Sequence, residues 1–254
     1  MSSTKELILY RGIHTSPERA EIILERGIEN KWRKEHFSFH RYSKEEIERF
    51  FETGQFEVMS REGNNNCVAP EFACATERDA CFYILKWGDK GGYISGHTQE
   101  YPLPNDQISL PYVIQFKVDI NSVSIDGNDG LYYMLGFLEQ KNLPDDRYDD
   151  LCKLFSKKMI DRYRPMFQNP DIDNVKLTAM FFSEEEAILS LYNNKDNLID
   201  GRRNIQFLSS FVFNSPVTKD DIIGVREMTD IDCQIKVDSF KPASTISIRD
   251  FRYN

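Results

Sequence analysis

Residues 112–120, YVIQFKVDI, show the clearest hydrophobic periodicity in the chain. Two sets of side chains alternate along this segment: Val113, Gln115 and Lys117 in one set, and Ile114, Phe116 and Val118 in the other. Successive side chains of a strand point to opposite faces, so a period of two predicts a β-strand with one apolar face. Such a strand needs neighbours in a sheet and a layer that covers its apolar face. The fold must therefore be built around a sheet.

The first 27 residues predict a strand, a turn and a helix. Residues 6–13, ELILYRGI, form a short apolar strand candidate that stops at Gly12. Ser16 is a suitable N-cap, and Pro17 suits the first helical position. Gly27 follows the periodic run AEIILER and is typical of the residue that ends a helix. We therefore expect the chain to open with a strand–turn–helix unit.

Two further helices have recognisable starts. Ser43 and Glu46 match a capping box, and Gly54 ends the short helix that follows. Residues 67–76, CVAPEFACAT, predict a strand that runs into a helix near Thr76, where the sequence Thr-Glu-Arg-Asp repeats the capping pattern. Strand and helix thus alternate a second time.

The middle of the chain predicts additional helices. Residues 88–111 are rich in Gly, Pro and polar side chains, which is typical of a long loop. Residues 129–141 and 145–164 predict a pair of helices, the second of which Pro165 would stop. We interpret this pair as a helical insert at residues 129–164.

The last third of the chain predicts a return to strands. Residues 175–182, VKLTAMFF, have the apolar composition of a strand. Ser183 and Glu186 then occupy capping-box positions at the start of a helix. Beyond residue 204, short β-type runs are separated by turn residues: NIQFLSSFVF, DIIGVREM and TISIRDF. Together the elements predict an α+β fold.

Composition and charge limit the class of protein. The chain has 254 residues, 40% of them hydrophobic, which is enough for one core, so we expect a single domain over residues 1–254. A net charge of −9 argues against broad binding to phosphate backbones or anionic lipid. No segment approaches the roughly 20 apolar residues of a membrane span, and nothing marks the chain for secretion. We therefore expect a cytoplasmic protein with no membrane partner.

The five cysteines and four histidines show no metal or disulfide pattern. The cysteines are odd in number without CxxC spacing, and no histidines stand in an HxxxH or HxH pair, so we expect reduced, mostly buried thiols and no metal. The chain also lacks GxxxxGK[ST], a strand–GxGxxG–helix unit, HExxH and GxSxG. Their absence argues against the P-loop, Rossmann, zincin and α/β-hydrolase classes.

Five segments follow one another in an order that indicates a known family: LYRGI, SPERAEIILERGI, EFACATERDACFYI, YVIQFKVDINSVSID and FVFNSPVTKDDIIGV. In order and approximate spacing, this set resembles the ADP-ribosyltransferases of the arginine-initiated, cholera- and pertussis-toxin-like class. The resemblance covers residues 7–126 and 204–229 and leaves residues 129–170 unmatched. It implies an ADP-ribosyltransferase-like split β-sandwich with surrounding helices and a helical insert, and NAD as the substrate.

The resemblance also implies a cofactor-binding site on the first two segments. Arg11 would hold the NAD phosphates, with Tyr10 and Gly12 beside it. A guanidinium suits this role because it offers a planar fork of donors and keeps its charge. Phe72 would supply an aromatic wall, and Thr76 would contribute its hydroxyl to the nicotinamide pocket. Other roles remain open: an edge-strand Arg in a surface pair, a helix N-cap for the Thr, and core positions for the aromatic residues.

The catalytic Glu of the family has no direct counterpart in this chain. Its place in the alignment corresponds to Ser209, Ser210 or Gln206. Glu184 and Glu186 are an alternative source of the carboxylate, since arginine-modifying transferases carry an E-x-E arrangement. The same two residues open an amphipathic helix, where capping and the helix dipole favour acidic side chains. The sequence leaves the catalytic acid unplaced.

Two functions follow from the resemblance. One is an NAD-dependent ADP-ribosyltransferase or NAD glycohydrolase that acts on an intracellular target, with a protein or a nucleic acid as acceptor. The other is a catalytically silent ADP-ribosyltransferase-like module that binds a nucleotide or a protein partner. An unrelated α+β protein with the same order of segments is the third interpretation.

Overall fold

A computed structural model of the protein describes residues 5–28, 41–56, 71–81, 110–126, 131–195, 210–213 and 215–228. Its strands are β1 (Glu6–Thr15), β2 (Gly27–Ile28), β3 (Glu71–Cys74), β4 (Leu110–Asp119), β5 (Val123–Ile125), β6 (Ser210–Phe213), β7 (Val217–Thr218) and β8 (Ile222–Glu227). Its helices are α1 (Pro17–Arg26), α2 (Lys44–Thr53), α3 (Leu131–Gly136), α4 (Asp145–Phe155), α5 (Lys157–Phe167), α6 (Asn174–Ser183) and α7 (Glu185–Asn193). Residues 77–81 are also helical. The predicted combination of helix and strand is confirmed, and the split β-sandwich stays a prediction.

Some predictions concern residues outside the described ranges. They are most of the loop at residues 88–111, the run at residues 245–251, Gln206, Ser209, Cys67 and Cys233. The other three cysteines are thiols, and two of them, Cys74 and Cys81, are buried as expected.

Contacts between Cα atoms divide the chain into two compact units. Unit 1 contains Met1–Phe39, Cys67–Ser122 and Ser210–Ser244, and unit 2 contains His40–Asn66, Val123–Ser209 and Thr245–Asn254. Each unit combines segments that are distant in the sequence. The single domain over residues 1–254 and the helical insert at 129–164 stay predictions.

Unit 1 is built on an antiparallel sheet. Within this unit the strand order is β6-β3-β1-β4-β8. β1 and β4 pair along their whole length, from Glu6 opposite Asp119 to Thr15 opposite Leu110. The prediction that β1 stops at Gly12 was wrong, because its ladder with β4 continues for three more residues. The strand predicted at residues 112–120 is confirmed as β4.

One face of this sheet is concave. Phe116 on β4 and Phe213 on β6 project from the same face, and their ring centroids lie 5.4 Å apart. β3 and β1 lie between these two strands, so a flat sheet would separate them by about 14 Å. The sheet therefore curls around this face, which we call the concave face of unit 1.

Local signals fix the start and the end of α1. Ser16 is the N-cap, its side chain accepts from the Arg19 N–H, and Pro17 is the first helical residue. Gly27 ends the helix with a φ of 85°, and a Cβ at this position would lie 2.1 Å from the carbonyl oxygen of Val217. All three predicted roles are confirmed. Gly27 is required because β2 and β7 approach closely at this residue.

Unit 2 contains α2 to α7, and its core is aromatic. The ring of Tyr163 makes edge-on contacts with Phe51 and Phe181, each at 4.9 Å between centroids. Phe181 also contacts Phe155 at 4.9 Å. The capping box predicted for α2 is confirmed, since Ser43 and Glu46 exchange both hydrogen bonds, and Gly54 ends the helix.

The strand predicted at residues 175–182 is helix α6 instead. The Asp173 side chain caps it by accepting from the Val175 and Lys176 N–H groups. Its buried residues are spread around the helix axis and include consecutive positions: Leu177, Thr178, Met180, Phe181, Phe182 and Ser183. A helix buried on several sides has no amphipathic period and resembles a buried strand in sequence.

The helix ends in unit 2 also differ from the predictions. Ser183 is the last residue of α6 and donates to the Ala179 carbonyl, so it does not cap α7. The helix predicted at residues 145–164 breaks at Ser156, whose φ is 72°. Pro165 lies inside α5 and does not stop it, because the buried Phe167 holds the last turn in place.

Candidate functional site

Arg11 lies in the centre of the unit 1 sheet. It is on β1, between β3 and β4, and is 7% exposed. The pairing of Tyr10 with Cys74 sets Ala73 beside it on one side, and Ile114 pairs with it on the other. The interpretation of Arg11 as an edge-strand residue in a surface pair was therefore wrong. Its charge is held on the buried, concave face of the sheet.

The other predicted cofactor-binding residues on the strands project from the opposite face. Tyr10 and Gly12 flank Arg11 along β1, so their positions alternate with it. Phe72 is 36% exposed and lies two residues before Cys74, which pairs with Tyr10. On the Tyr10 face, the hydroxyl of this tyrosine accepts a hydrogen bond of 3.0 Å from Gln115 Nε2. The structure thus separates Arg11 from Tyr10 and Phe72 by the thickness of the sheet.

Thr76 is the N-cap of the helix that follows β3. Its Oγ1 accepts from the Asp79 N–H at 3.1 Å, which agrees with the structural role left open for it. Asp79 itself is fully buried. Ser210, one of the residues at the expected position of the catalytic Glu, opens β6 opposite Cys74 and is 2% exposed. At this end of β3 the pairing therefore joins a hydroxyl residue to a thiol residue.

Glu184 is held by hydrogen bonds within unit 2. Its Oε1 accepts from the Tyr163 hydroxyl at 2.8 Å and from Arg162 Nη1 at 3.0 Å. The Arg162 guanidinium also lies 3.8 Å from the centroid of the Phe51 ring. Burial, together with the Glu184 carboxylate, raises the pKa of Tyr163 well above its ordinary value. This carboxylate completes the polar side of the aromatic core.

Glu186 is also used inside unit 2. Ser156 Oγ donates to its Oε1 at 2.9 Å, and Lys158 Nζ lies 3.8 Å from its Oε2. The bond to Ser156 ties the start of α7 to the break between α4 and α5. Glu184 and Glu186 therefore have structural partners on the same unit, whereas their catalytic roles stay predictions.

Asp79 is a candidate that the sequence did not single out. The Thr-Glu-Arg-Asp pattern indicated a cap, but full burial of its last carboxylate follows only from the tertiary structure. Its burial three residues after Thr76 makes it a further candidate for the acid that the sequence left unplaced.

No group of three or more His, Cys, Asp and Glu side chains in the described part of the chain is arranged to hold a metal ion.

None of the helices described is both long and apolar enough to cross a bilayer.

Comparisons of the chain with protein-family models, with curated proteins and with solved structures find no significant match.

Proposed function

We propose that the chain is an ADP-ribosyltransferase-like module that binds NAD through Arg11 and does not turn it over. The observation that carries the proposal is the position of Arg11, a permanently charged residue on the buried face of the central strand of unit 1. A guanidinium keeps its charge and offers a planar fork of donors, which suits it to bind the phosphates of NAD. Its cross-strand neighbour on β3, Ala73, has a small side chain.

Three observations favour binding over catalysis. Ser210 and Cys74 face each other where the family resemblance would put the catalytic Glu beside its hydroxyl element. Glu184 and Glu186, the alternative carboxylates, already accept hydrogen bonds from Tyr163 and Ser156. Thr76 uses its hydroxyl as a helix cap. The side chains that could hydrolyse NAD or transfer ADP-ribose thus make structural contacts, which supports binding without turnover.

One observation favours an enzyme as the second candidate. Asp79 is a fully buried carboxylate three residues after Thr76, and a buried acid is suited to stabilise positive charge on a reacting sugar. In that case the chain would be an ADP-ribosyltransferase or NAD glycohydrolase with Asp79 as the acid.

The test combines calorimetric titration with NAD and a nicotinamide-release assay run with cell extract as a source of acceptors. We expect saturable NAD binding without nicotinamide release. Arg11→Lys keeps the positive charge but loses the planar set of guanidinium donors. It should weaken the free energy of NAD binding by about 2 kcal/mol, or roughly thirtyfold in Kd. Arg26→Met, at the exposed end of α1, is the matched control and should bind like wild type.

The outcomes separate the candidates. Nicotinamide release that Asp79→Asn abolishes, in a variant that still binds NAD, would replace the silent module with the enzyme. Equal NAD affinity in Arg11→Lys and wild type, or no NAD binding by a folded wild-type protein, would overturn the NAD proposal. Thermal denaturation of each variant shows whether it is folded.

A further inference from the structure

The break between α4 and α5 consists of one residue in a strained conformation. Ser156 ends α4 and begins α5, with a φ of 72° and a ψ of 145°. Among the non-glycine residues that the structure describes, only Ser156 has a positive φ. A positive φ is uncommon for a residue with a Cβ, and such strain persists only where the surroundings hold it. The break therefore depends on contacts made by the rest of unit 2.

Three polar residues, spaced four apart along α7 and its C-terminal end, hold the break: Glu186, Ser190 and Asn194. Ser156 Oγ donates to Glu186 Oε1 at 2.9 Å. Ser190 Oγ donates to the Leu154 carbonyl at 2.6 Å, and Asn194 Nδ2 donates to the Lys153 carbonyl at 3.2 Å. Both carbonyls belong to the last turn of α4, where a helix leaves its carbonyls without an N–H partner. Side chains from the α7 region thus replace the hydrogen bonds that the break removes.

At this break, α5 folds back along α4. The Tyr148 hydroxyl, in the first turn of α4, is hydrogen-bonded to Asp161 Oδ1 and accepts from Lys157 Nζ at 3.0 Å. In an uninterrupted helix, Tyr148 and Asp161 would lie about 20 Å apart along the axis, since each residue adds about 1.5 Å. The contact between these two side chains within one chain therefore requires the break.

The same segment also has the pattern of one continuous helix. Five of its buried residues are spaced four apart straight through the break: Leu151, Phe155, Met159, Tyr163 and Phe167. In a joined helix, the N–H groups of Lys157 and Lys158 would donate to the carbonyls four residues before them. These are the carbonyls that Asn194 and Ser190 satisfy across the break. The last turn of α4 thus has partners for its carbonyls in either form.

We propose that two copies of the chain exchange halves by joining α4 and α5 into one continuous helix. Everything after Ser156 in one copy then packs on everything before Ser156 in the other. The contacts between α4 and α5 are kept, but they form between copies, and the strained φ of Ser156 is released. Short hinges under strain promote such an exchange. The partner is a second copy because only the same sequence supplies the same contacts.

The test begins with refolding of the full chain from denaturant at low and at high protein concentration. Size-exclusion chromatography with light scattering then gives the mass of each species. We expect a monomer at low concentration and a dimer at high concentration.

Cross-linking shows which copy supplies each helix. In the double variant Tyr148→Cys/Asp161→Cys, a short bis-maleimide joins α4 to α5. The cross-link should connect two chains in the dimer fraction and stay within one chain in the monomer fraction, as read by denaturing electrophoresis. Each single variant, treated in the same way, gives the background from the native cysteines.

Substitutions at the hinge compare the two forms. Ser156→Ala keeps the Cβ that disfavours a positive φ and suits the joined helix, whereas Ser156→Gly accepts the positive φ and weakens the joined helix. The dimerisation constant of Ser156→Ala should exceed that of Ser156→Gly by about 25-fold, since each of the two helices in the dimer gains roughly fivefold from helix propensity.

Two further sets of variants complete the comparison. Glu52→Ala and Glu52→Gly, at an exposed position of α2, are the matched pair and should have equal dimerisation constants. Ser190→Ala removes the donor to the Leu154 carbonyl and should also favour the dimer. It replaces Ser156→Ala if circular dichroism shows that Ser156→Ala does not fold.

The proposal is overturned if wild type and Ser190→Ala both stay monomeric after refolding at high concentration. A dimer whose cross-links stay within each chain would be a side-by-side pair and would also reject it. Equal dimerisation constants for Ser156→Ala and Ser156→Gly would show that the hinge does not control the exchange. None of these measurements involves NAD, so this proposal and the NAD proposal can fail separately.

Discussion

Tyr112 in unit 1 and Tyr163 in unit 2 are both buried, and burial is the main cause that raises the pKa of each hydroxyl. They differ in their hydrogen bonds. The Tyr163 hydroxyl donates to Glu184 at 2.8 Å, whereas the Tyr112 hydroxyl has no partner among the described residues. The first tyrosine is part of a completed internal network. The second lies opposite Glu227 on the neighbouring strand but has no hydrogen bond to it.

The same contrast extends to other polar groups. In unit 2, Ser183 accepts from the Tyr42 N–H and donates to the Ala179 carbonyl, and Ser190 donates to the Leu154 carbonyl. These polar side chains fasten one element to another. In unit 1, the buried guanidinium of Arg11 lies on the concave face with apolar strand neighbours. The polar side chains of unit 2 thus join its elements, whereas the NAD proposal depends on one charged side chain of unit 1.

The largest expected effect tests the architecture of unit 2. Phe181 is fully buried and contacts Phe155 and Tyr163 edge-on, so Phe181→Ala should cost about 3–5 kcal/mol. Val175 on the same helix is 75% exposed, and Val175→Ala is the control, with a change within about 0.5 kcal/mol. Urea denaturation followed by circular dichroism gives both values. Equal costs would mean that the aromatic cluster does not hold α6.

Hydrogen exchange sharpens the same comparison. In Phe181→Ala, amide protection should fall in α6 and α7, which belong to unit 2. If protection of β1 and β4 falls by the same amount, the two units unfold together and stability cannot be assigned to them separately.

The second effect compares the two tyrosines directly. Tyr163→Phe removes one of the two donors to Glu184 Oε1, leaving Arg162, and should cost about 1–3 kcal/mol. Tyr112→Phe removes no hydrogen bond of the described structure and should change stability by less than about 0.5 kcal/mol. Denaturation midpoints of both variants, measured together, give the comparison. A cost for Tyr112→Phe as large as the cost for Tyr163→Phe would contradict this difference between the two tyrosines.

Local signals in the sequence predicted much of this fold. Ser16, Ser43 and Thr76 were identified as N-caps because capping depends on residues within one turn. The strand at residues 112–120 was identified from its period of two. Helix α6 was missed because burial on several sides removes the period that distinguishes a helix from a strand.

The candidate site was less accessible from sequence, for a different reason. Alternation along β1 is enough to put Arg11 and Tyr10 on opposite faces. The face of Phe72 depends on the register of β3 against β1. Register between distant strands is set by the whole sheet, and no local pattern encodes it.

The smallest effect appears at alkaline pH and reports the buried hydroxyl of Tyr163, whose pKa is raised first by burial and then by Glu184. The folded state raises the pKa of Tyr163 above its unfolded value of 10.0, so the neutral phenol is favoured when the protein is folded. This contribution to stability is fully present below about pH 10 and declines as the pH rises further, because the unfolded state loses the proton first. Wild type should therefore lose more stability between about pH 9 and 11 than Tyr163→Phe does. Other tyrosines and lysines titrate equally in wild type and in Tyr163→Phe, so the difference between the urea midpoints of the two proteins reports Tyr163 alone. Parallel pH profiles of the two proteins would show that this hydroxyl does not stabilise unit 2.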